Sequence, residues 1–266
     1  MKKDLTFTSH GVRCAAWHLP AVSDVLAGPD GRPCVVMAHG FGGTRDSGLL
    51  GYAEPFAEAG IDVFVFDYRG FGASGGTPRQ DVSVRRQRQD YHAALAAARR
   101  LPGVDPDRIA LWGTSYAGGH VLPVAAQDGR ITAVVSLTPA VDGLATLGHV
   151  VRHAGVGRLL RLTGHGLWDA ARAVTGRTPH HLPVVAHPGT AAMMTTPLAD
   201  RIAATMAGPT WRNEVCARAA LEVGLNRPTT YARRVDCPIQ QRALADQLDF
   251  LSRCLGPSRS PRSNAS

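Results

Sequence analysis

Apolar residues along the chain fall into short solid runs separated by amphipathic stretches. Residues 5–18 alternate around Ser9-His10-Gly11, which predicts a β-hairpin. Residues 21–33 carry Gly28, Pro29, Asp30, Gly31 and Pro33 and read as a loop. Cys34–Ala38, Ile61–Phe66, Arg108–Trp112 and Ile131–Leu137 are compact apolar runs of the kind expected for strands buried on both faces. Helical patterns fill the intervals at 52–59, 83–101 and from the segment after Ser115 to about 127. Strands alternating with helices predict an α/β fold: a mostly parallel sheet with helices on both faces. Sites in such sheets lie beyond the carboxyl ends of the strands. The glycine-rich segments 40–43, 70–76 and 113–119 all fall there, so they are expected to converge.

From Asp142 to Arg227 the pattern changes. Strand signals vanish, and short helical stretches at 145–162, 167–175, 198–207 and 211–223 are broken by His, Gly, Pro and Thr. This predicts a helical insertion over the sheet. A strand signal returns at Val235–Ile239. Then comes an amphipathic helix from Arg242 to Leu255, with Leu244, Leu248, Leu251 and Leu255 at helical spacing, stopped by Gly256. The polar tail 257–266 is expected to be disordered. The chain thus divides into a core over 1–141, a helical cap over 142–227, a C-terminal core remnant over 228–256 and the tail.

Composition narrows the function classes. The 266 residues are 44% hydrophobic and 19% charged, enough for a sizeable core. Five scattered cysteines (Cys14, Cys34, Cys216, Cys237 and Cys254) do not form a disulfide framework. No window approaches the roughly 20 apolar residues of a membrane span, and the N-terminus carries no signal-peptide core. A reduced, cytoplasmic protein with no membrane partner is therefore expected. The net charge of +8 comes almost wholly from arginine, since Lys2 and Lys3 are the only lysines. The arginines are spread along the chain with no nucleic-acid-binding motif around them, so they read as a solvated surface and nucleic acid is not expected as a partner. An anionic substrate or carrier remains compatible with them.

Three segments carry candidate chemistry. In Trp112-Gly113-Thr114-Ser115-Tyr116-Ala117-Gly118-Gly119 an apolar strand runs into a sharp turn and then a helix. Small residues flank Ser115, as a strained turn packed against the next helix requires; Gly113 and Gly118 are the key spacers. Such a turn pushes the serine hydroxyl outward over a helix N-terminus, which marks Ser115 as a nucleophile. In His39-Gly40-Phe41-Gly42, Gly40 and Gly42 let backbone N–H groups face a ligand. The N–H groups of Phe41 and Tyr116 are the expected oxyanion hole, with His39 structural. In the third segment, Asp67 to Ser74, Asp67 and Arg69 are expected to satisfy backbone groups and each other.

With HGFGG at 39–43, FDYRGFGASGG at 66–76 and GTSYAGG at 113–119, the chain resembles the α/β-hydrolase superfamily. It looks like the capped serine-esterase branch related to dienelactone-hydrolase-like and Xaa-Pro-dipeptidyl-peptidase-like enzymes. Some relatives in that branch release or transfer polyketide acyl chains. The resemblance implies an acyl-enzyme on Ser115, a small-molecule acyl substrate chosen by the cap, a His base, an orienting acid and no cofactor. No metal is expected either, because no Cys or carboxylate completes a close ligand set with His180, His181 and His187.

The chain departs from that pattern near its C-terminal helix. The family order is nucleophile, acid, then His. Here Ile239 is followed by Gln240-Gln241 and then the helix, where an acid loop, helix, final strand and His loop would need roughly 35–45 residues. The last histidine is His187. The chain therefore reads as internally shortened, without its last sheet strand or strands and without the usual acid and base. Among the later histidines, His120 is expected to point away from Ser115, and His149, His153, His165, His180, His181 and His187 belong to the cap. Asp142, just past the strand 131–137, is the surviving acid candidate. Three functions fit: hydrolysis of an ester or thioester, acyl transfer to another acceptor, or binding of an acyl ligand without turnover.

Overall fold

The computed structural model describes residues 2–241 and 244–256, so the predicted tail at 257–266 lies outside the described residues. The predicted hairpin forms as β1 (Lys3–Ser9) and β2 (Val12–Leu19). The apolar runs become β3 (Arg32–Ala38), β4 (Asp62–Phe66), β5 (Val104–Thr114) and β6 (Ile131–Leu137). With β11 (Ile239–Gln240) they make one sheet of order β1-β2-β4-β3-β5-β6-β11. The β1–β2 and β2–β4 pairs are antiparallel, and every other pair in this sheet is parallel.

Period-two alternation distributes each central strand between two cores. On one face Val36, Phe64, Phe66, Leu111 and Val134 pack against α2 (Val84–Ala98) and α3 (Tyr116–Asp128). On the other, Val35, Met37, Val63, Val65, Trp112 and Val135 pack against α1 (Leu50–Glu58) and α8 (Leu244–Leu255). Helix α8 uses Phe250, Leu251 and Leu255 for this. Trp112 Nε1 also donates to Gln247 Oε1 at 3.0 Å, and Arg108 Nε caps the helix end by donating to the Leu255 carbonyl at 3.0 Å. The sheet reaches its edge at β11, which is only two residues long. The strand expected over 235–239 is shorter and later: Pro228–Arg234 forms a 3-10 helix, and the chain first meets β6 where the Pro238 carbonyl accepts the Val134 N–H at 3.0 Å. No further strand joins beyond it among the described residues.

Two polar clusters lock the strand ends. Asp62, fully buried, accepts from Arg32 Nε at 2.6 Å and lies 2.5 Å from His18 Nε2. Burial works against its charge, but these two partners prevail and hold the carboxyl below its usual range. The expected Asp67–Arg69 pair does not form. Asp67 takes the Arg45 N–H at 2.7 Å and the Ala73 N–H at 3.1 Å, with Arg45 Nε at 3.3 Å. Arg69 instead turns to Asp90 on α2, 2.5 Å away. The residues are two apart in sequence, yet the strand end sends them to different neighbours.

Residues 143–223 leave the sheet after β6. They contain α4 (Gly143–Ala154), α5 (Val156–Val174), α6 (Ala199–Met206) and α7 (Ala219–Val223). Helix was expected to break between 162 and 167; it breaks at Gly155 (φ +79°) instead. The excursion is not purely helical either. β7 (His181–Leu182) pairs with β10 (Val215–Cys216), and β8 (Val185–Ala186) with β9 (Met194–Thr195). The helix expected over 211–223 forms only from Ala219, because Cys216 N–H donates to the Gln80 carbonyl at 2.8 Å and draws the chain into extended form. No helix among the described residues is long and apolar enough to cross a membrane.

Gly148 in α4 and Gly164 in α5 have no atom within 4 Å of the position a Cβ would take. Gly148→Ala and Gly164→Ala are each expected to raise stability by about 0.5–1 kcal/mol, read by chemical denaturation. Asp62→Asn, which uncharges the centre of the buried cluster, is expected to cost about 3 kcal/mol in the same assay.

Candidate active site

β5 ends at Thr114 and α3 begins at Tyr116, so Ser115 alone makes the turn. Its φ of +54° and ψ of −114° lie where a residue with a side chain is strained. The surroundings hold it there. Its N–H donates to the Leu137 carbonyl at 2.9 Å, and its carbonyl accepts from the N–H groups of Gly119 at 3.2 Å and Ala140 at 2.9 Å. Gly113 is required because a Cβ there would run into the Ala117 carbonyl. Gly118, within the first turn of α3, has its carbonyl bonded by Ser136 Oγ at 2.7 Å. The turn leaves Ser115 exposed, between half-buried Thr114 and buried Tyr116.

The loop 39–43 packs directly against this turn. A Cβ on Gly40 would stand 3.0 Å from Ser115 Cβ, so the close approach needs glycine. The Phe41 and Tyr116 rings meet edge to face at 5.4 Å. Among the described residues neither the Phe41 N–H nor the Tyr116 N–H has a hydrogen-bond acceptor. Tyr116, the first residue of α3, has no acceptor for its N–H within its own helix. Gly42 (φ +63°) sits under Val184 and Val215 of the excursion, and its carbonyl accepts from Trp211 Nε1 at 2.9 Å.

His39 is buried beneath the loop. Its Nδ1 lies 3.0 Å from the Gly40 carbonyl, and its ring meets Tyr68 at 4.7 Å. Burial pushes its pKa down to about 4, so it is a neutral packing group. His120 on α3 is fully buried and bonds Gln87 Oε1 at 2.9 Å. Burial, with Arg88 and His39 nearby, pushes it down to about 3.

Two cavities meet at Ser115. One, about 160 Å³, is lined by Phe41, Ser115, Tyr116, Asp142, Met193 and Asn226 among others. The other, about 260 Å³, is lined by Gly40, Phe41, Ser115, Met194, Ile202 and Met206 among others. Met194 borders both. These cap residues were not legible in the sequence, since nothing in a broken helical stretch marks which side chains face a distant serine.

Asp142 lies in the wall of the first cavity, but both its oxygens are engaged. Oδ1 accepts the Ala145 N–H at 3.1 Å as the N-cap of α4, and Oδ2 accepts from Arg227 Nη2 at 3.2 Å. The Ala145 N–H and the Arg227 guanidinium hold its carboxyl below the usual range. No histidine bonds it, and no side chain bonds Ser115 Oγ, among the described residues. The cap histidines pair elsewhere. His149 stacks on His153 at 4.1 Å, His165 Nδ1 lies 2.9 Å from His180 Nε2, His181 lies 3.7 Å from Cys216 Sγ, and His187 bonds Asp200 at 3.0 Å.

Two expectations follow from this geometry. Imidazole NMR is expected to show His39 and His120 titrating well below the usual imidazole range. Their folded values lie below the unfolded value of about 6.5, so the stability they contribute is complete above that pH and is lost as pH falls toward 4 and 3. Gly113→Ala, which overfills the turn, is expected to cost about 1–3 kcal/mol in thermal or chemical denaturation.

The family model described as "alpha/beta hydrolase fold" matches residues 33–157. A quorum-quenching protein, AidA, from Acinetobacter baumannii is 37% identical over 241 residues, covering 89% of this chain and 75% of its own. A polyketide transferase, grgF, from Penicillium sp. is 32% identical over 71% of this chain and 59% of its own. A thiohydrolase, aneE, from Aspergillus aculeatus is 39% identical over 41% of this chain, which spans only 35% of that protein. Among solved structures, the α/β hydrolase GrgF from Penicillium sp. sh18 superposes with a TM-score of 0.77 at 22% identity, over 96% of this chain and 99% of its own. By sequence likeness, strand order and the architecture around Ser115, the chain belongs to the α/β-hydrolase superfamily.

Proposed function

We propose that the protein performs acyl chemistry on a carboxylic ester or thioester through Ser115. The single observation that carries this reading is the strained, exposed serine set beside two acceptor-free N–H groups at the meeting point of two cavities. Ser115 Oγ attacks the acyl carbonyl. The Phe41 and Tyr116 N–H groups receive the oxyanion that forms, a contribution worth about 3 kcal/mol per donor in comparable sites. The C–O or C–S bond breaks, the leaving alcohol or thiol takes the proton released by Ser115, and the acyl group stays on Oγ. Water then cleaves the acyl-enzyme. The relatives named thiohydrolase and polyketide transferase support a thioester donor, and the latter also support an acceptor other than water.

The chain between Ile239 and α8 has no room for the usual acid and histidine, so turnover is slow. Asp142 lines the cavity beside Ser115 and is the carboxylate that can take a proton through a bound water; its low basicity makes it a poor base. A serine with an oxyanion hole but no complete triad retains a rate roughly 10³–10⁴-fold over water.

A fluorophosphonate probe followed by intact-mass measurement tests this. One adduct per folded chain is expected, absent in Ser115→Ala. Folded wild-type protein that takes no adduct would overturn the proposal.

A further inference from the structure

A third cavity, of about 660 Å³, lies between α2, α7 and the 3-10 helix at Pro228–Arg234. Three guanidinium groups line it: Arg85 and Arg88 from α2, and Arg227. Among the described residues neither Arg85 nor Arg88 forms an ion pair with a carboxylate, whereas Arg227 pairs with Asp142 at 3.2 Å. Arg88 is half-buried. Its Nη2 donates to Asn226 Oδ1 at 2.7 Å, its guanidinium lies 5.6 Å from the Tyr231 ring centre, and its buried Nε–H has no acceptor. A buried guanidinium N–H left without an acceptor is costly, and the guanidinium fork is shaped to bind an oxyanion. The first turn of α2 adds its own partial positive charge. Glu222 is the opposing charge in the lining, and its Oε2 is occupied by the Val84 N–H at 2.6 Å.

This cavity shares a wall with the Ser115 site. Asn226 lines both, and Arg227 reaches through to Asp142, which lines the smaller one. The 160 Å³ cavity suits a short acyl group, whereas 660 Å³ suits a larger leaving half. We propose that the arginine cavity binds the phosphate of a phosphate-bearing acyl thioester, whose carbonyl end passes Asn226 to reach Ser115. This rests on the acyl chemistry proposed above. On transfer, the Ser115 O–C bond forms, the C–S bond breaks, and the hydroxyl proton leaves on the thiol.

The test compares two donors, S-butyryl-4′-phosphopantetheine and S-butyryl-pantetheine, which differ only in the phosphate. Acylation of Ser115 is followed by intact mass. The phosphorylated donor is expected to react at least about tenfold faster at equal low concentration, the scale of one charge-assisted hydrogen bond. Arg88→Gln and, independently, the exposed Arg85→Gln are expected to bring the ratio of the two rates toward one. Inorganic phosphate is expected to bind Ser115→Ala in calorimetry, with succinate binding much more weakly. A ratio near one in the wild type, or a ratio that neither substitution changes, overturns the proposal. So does succinate binding as well as phosphate. Arg88-dependent phosphate binding with no acylation by either donor would support the anion site and count against the Ser115 reading instead. Fluorophosphonate labelling of Ser115 with no phosphate binding would sink the arginine cavity alone.

Discussion

The site depends on one close contact: the backbone of β5 against the first turn of α3 at Gly113 and Ala117. Only with no side chain at Gly113 can the helix start so near the strand's end. That proximity forces Ser115 into a positive φ that a serine would not adopt on its own. The strain is sustained by three backbone hydrogen bonds and by a helix held on the sheet through Val121, Leu122 and Val124. Everything else at the site follows from the turn. It aims the hydroxyl outward, leaves the Tyr116 N–H free beside it and brings Gly40 within van der Waals contact.

The second constraint is how the excursion over 143–223 is fastened. Its contacts converge on the loops at the carboxyl ends of the strands. Trp211 bonds the Gly42 carbonyl, Thr210 bonds Asp46, and Gln80 receives Cys216 while donating to the Glu214 carbonyl at 2.9 Å. Arg218 reaches Asp169 at 2.8 Å and Asp81 at 3.6 Å, tying α5 to the segment before α2. Val184 and Val215 enter the same core as the sheet. The segments holding Met193, Met194 and Met206 are therefore positioned by the loop that also carries Phe41, so the cavity walls and the acceptor-free N–H groups are parts of one packed unit.

The fold was legible in the sequence wherever a local rule applied. Solid apolar runs such as Asp62–Phe66 became central strands because both faces of a parallel sheet are covered. The Gly113–Gly119 segment signalled a strand-turn-helix because small residues at those positions serve close packing alone. The failures share a different cause. Helix was expected over 211–223, and the strand over 235–239 was placed too early; both segments take their form from a distant partner, Gln80 for Cys216 and Val134 for Ile239. The supposed Asp67–Arg69 pair failed because each side chain found a better-placed partner on another element, the Arg45 and Ala73 N–H groups for Asp67 and Asp90 of α2 for Arg69.

By itself the sequence determined the sheet's central strands, the serine turn, the glycine loop beside it and the scarcity of partners for Ser115 after residue 187. These are properties of short windows, set by periodicity, residue size and spacing. The tertiary structure alone decided that His39 is buried and neutral, that Asp142 is bound to Arg227, and that the methionines at 193 and 194 line the Ser115 cavities. It also decided that Arg85, Arg88 and Arg227 share one cavity. Burial and proximity between residues far apart in the chain are set by how the elements pack, and no local pattern in the chain encodes them.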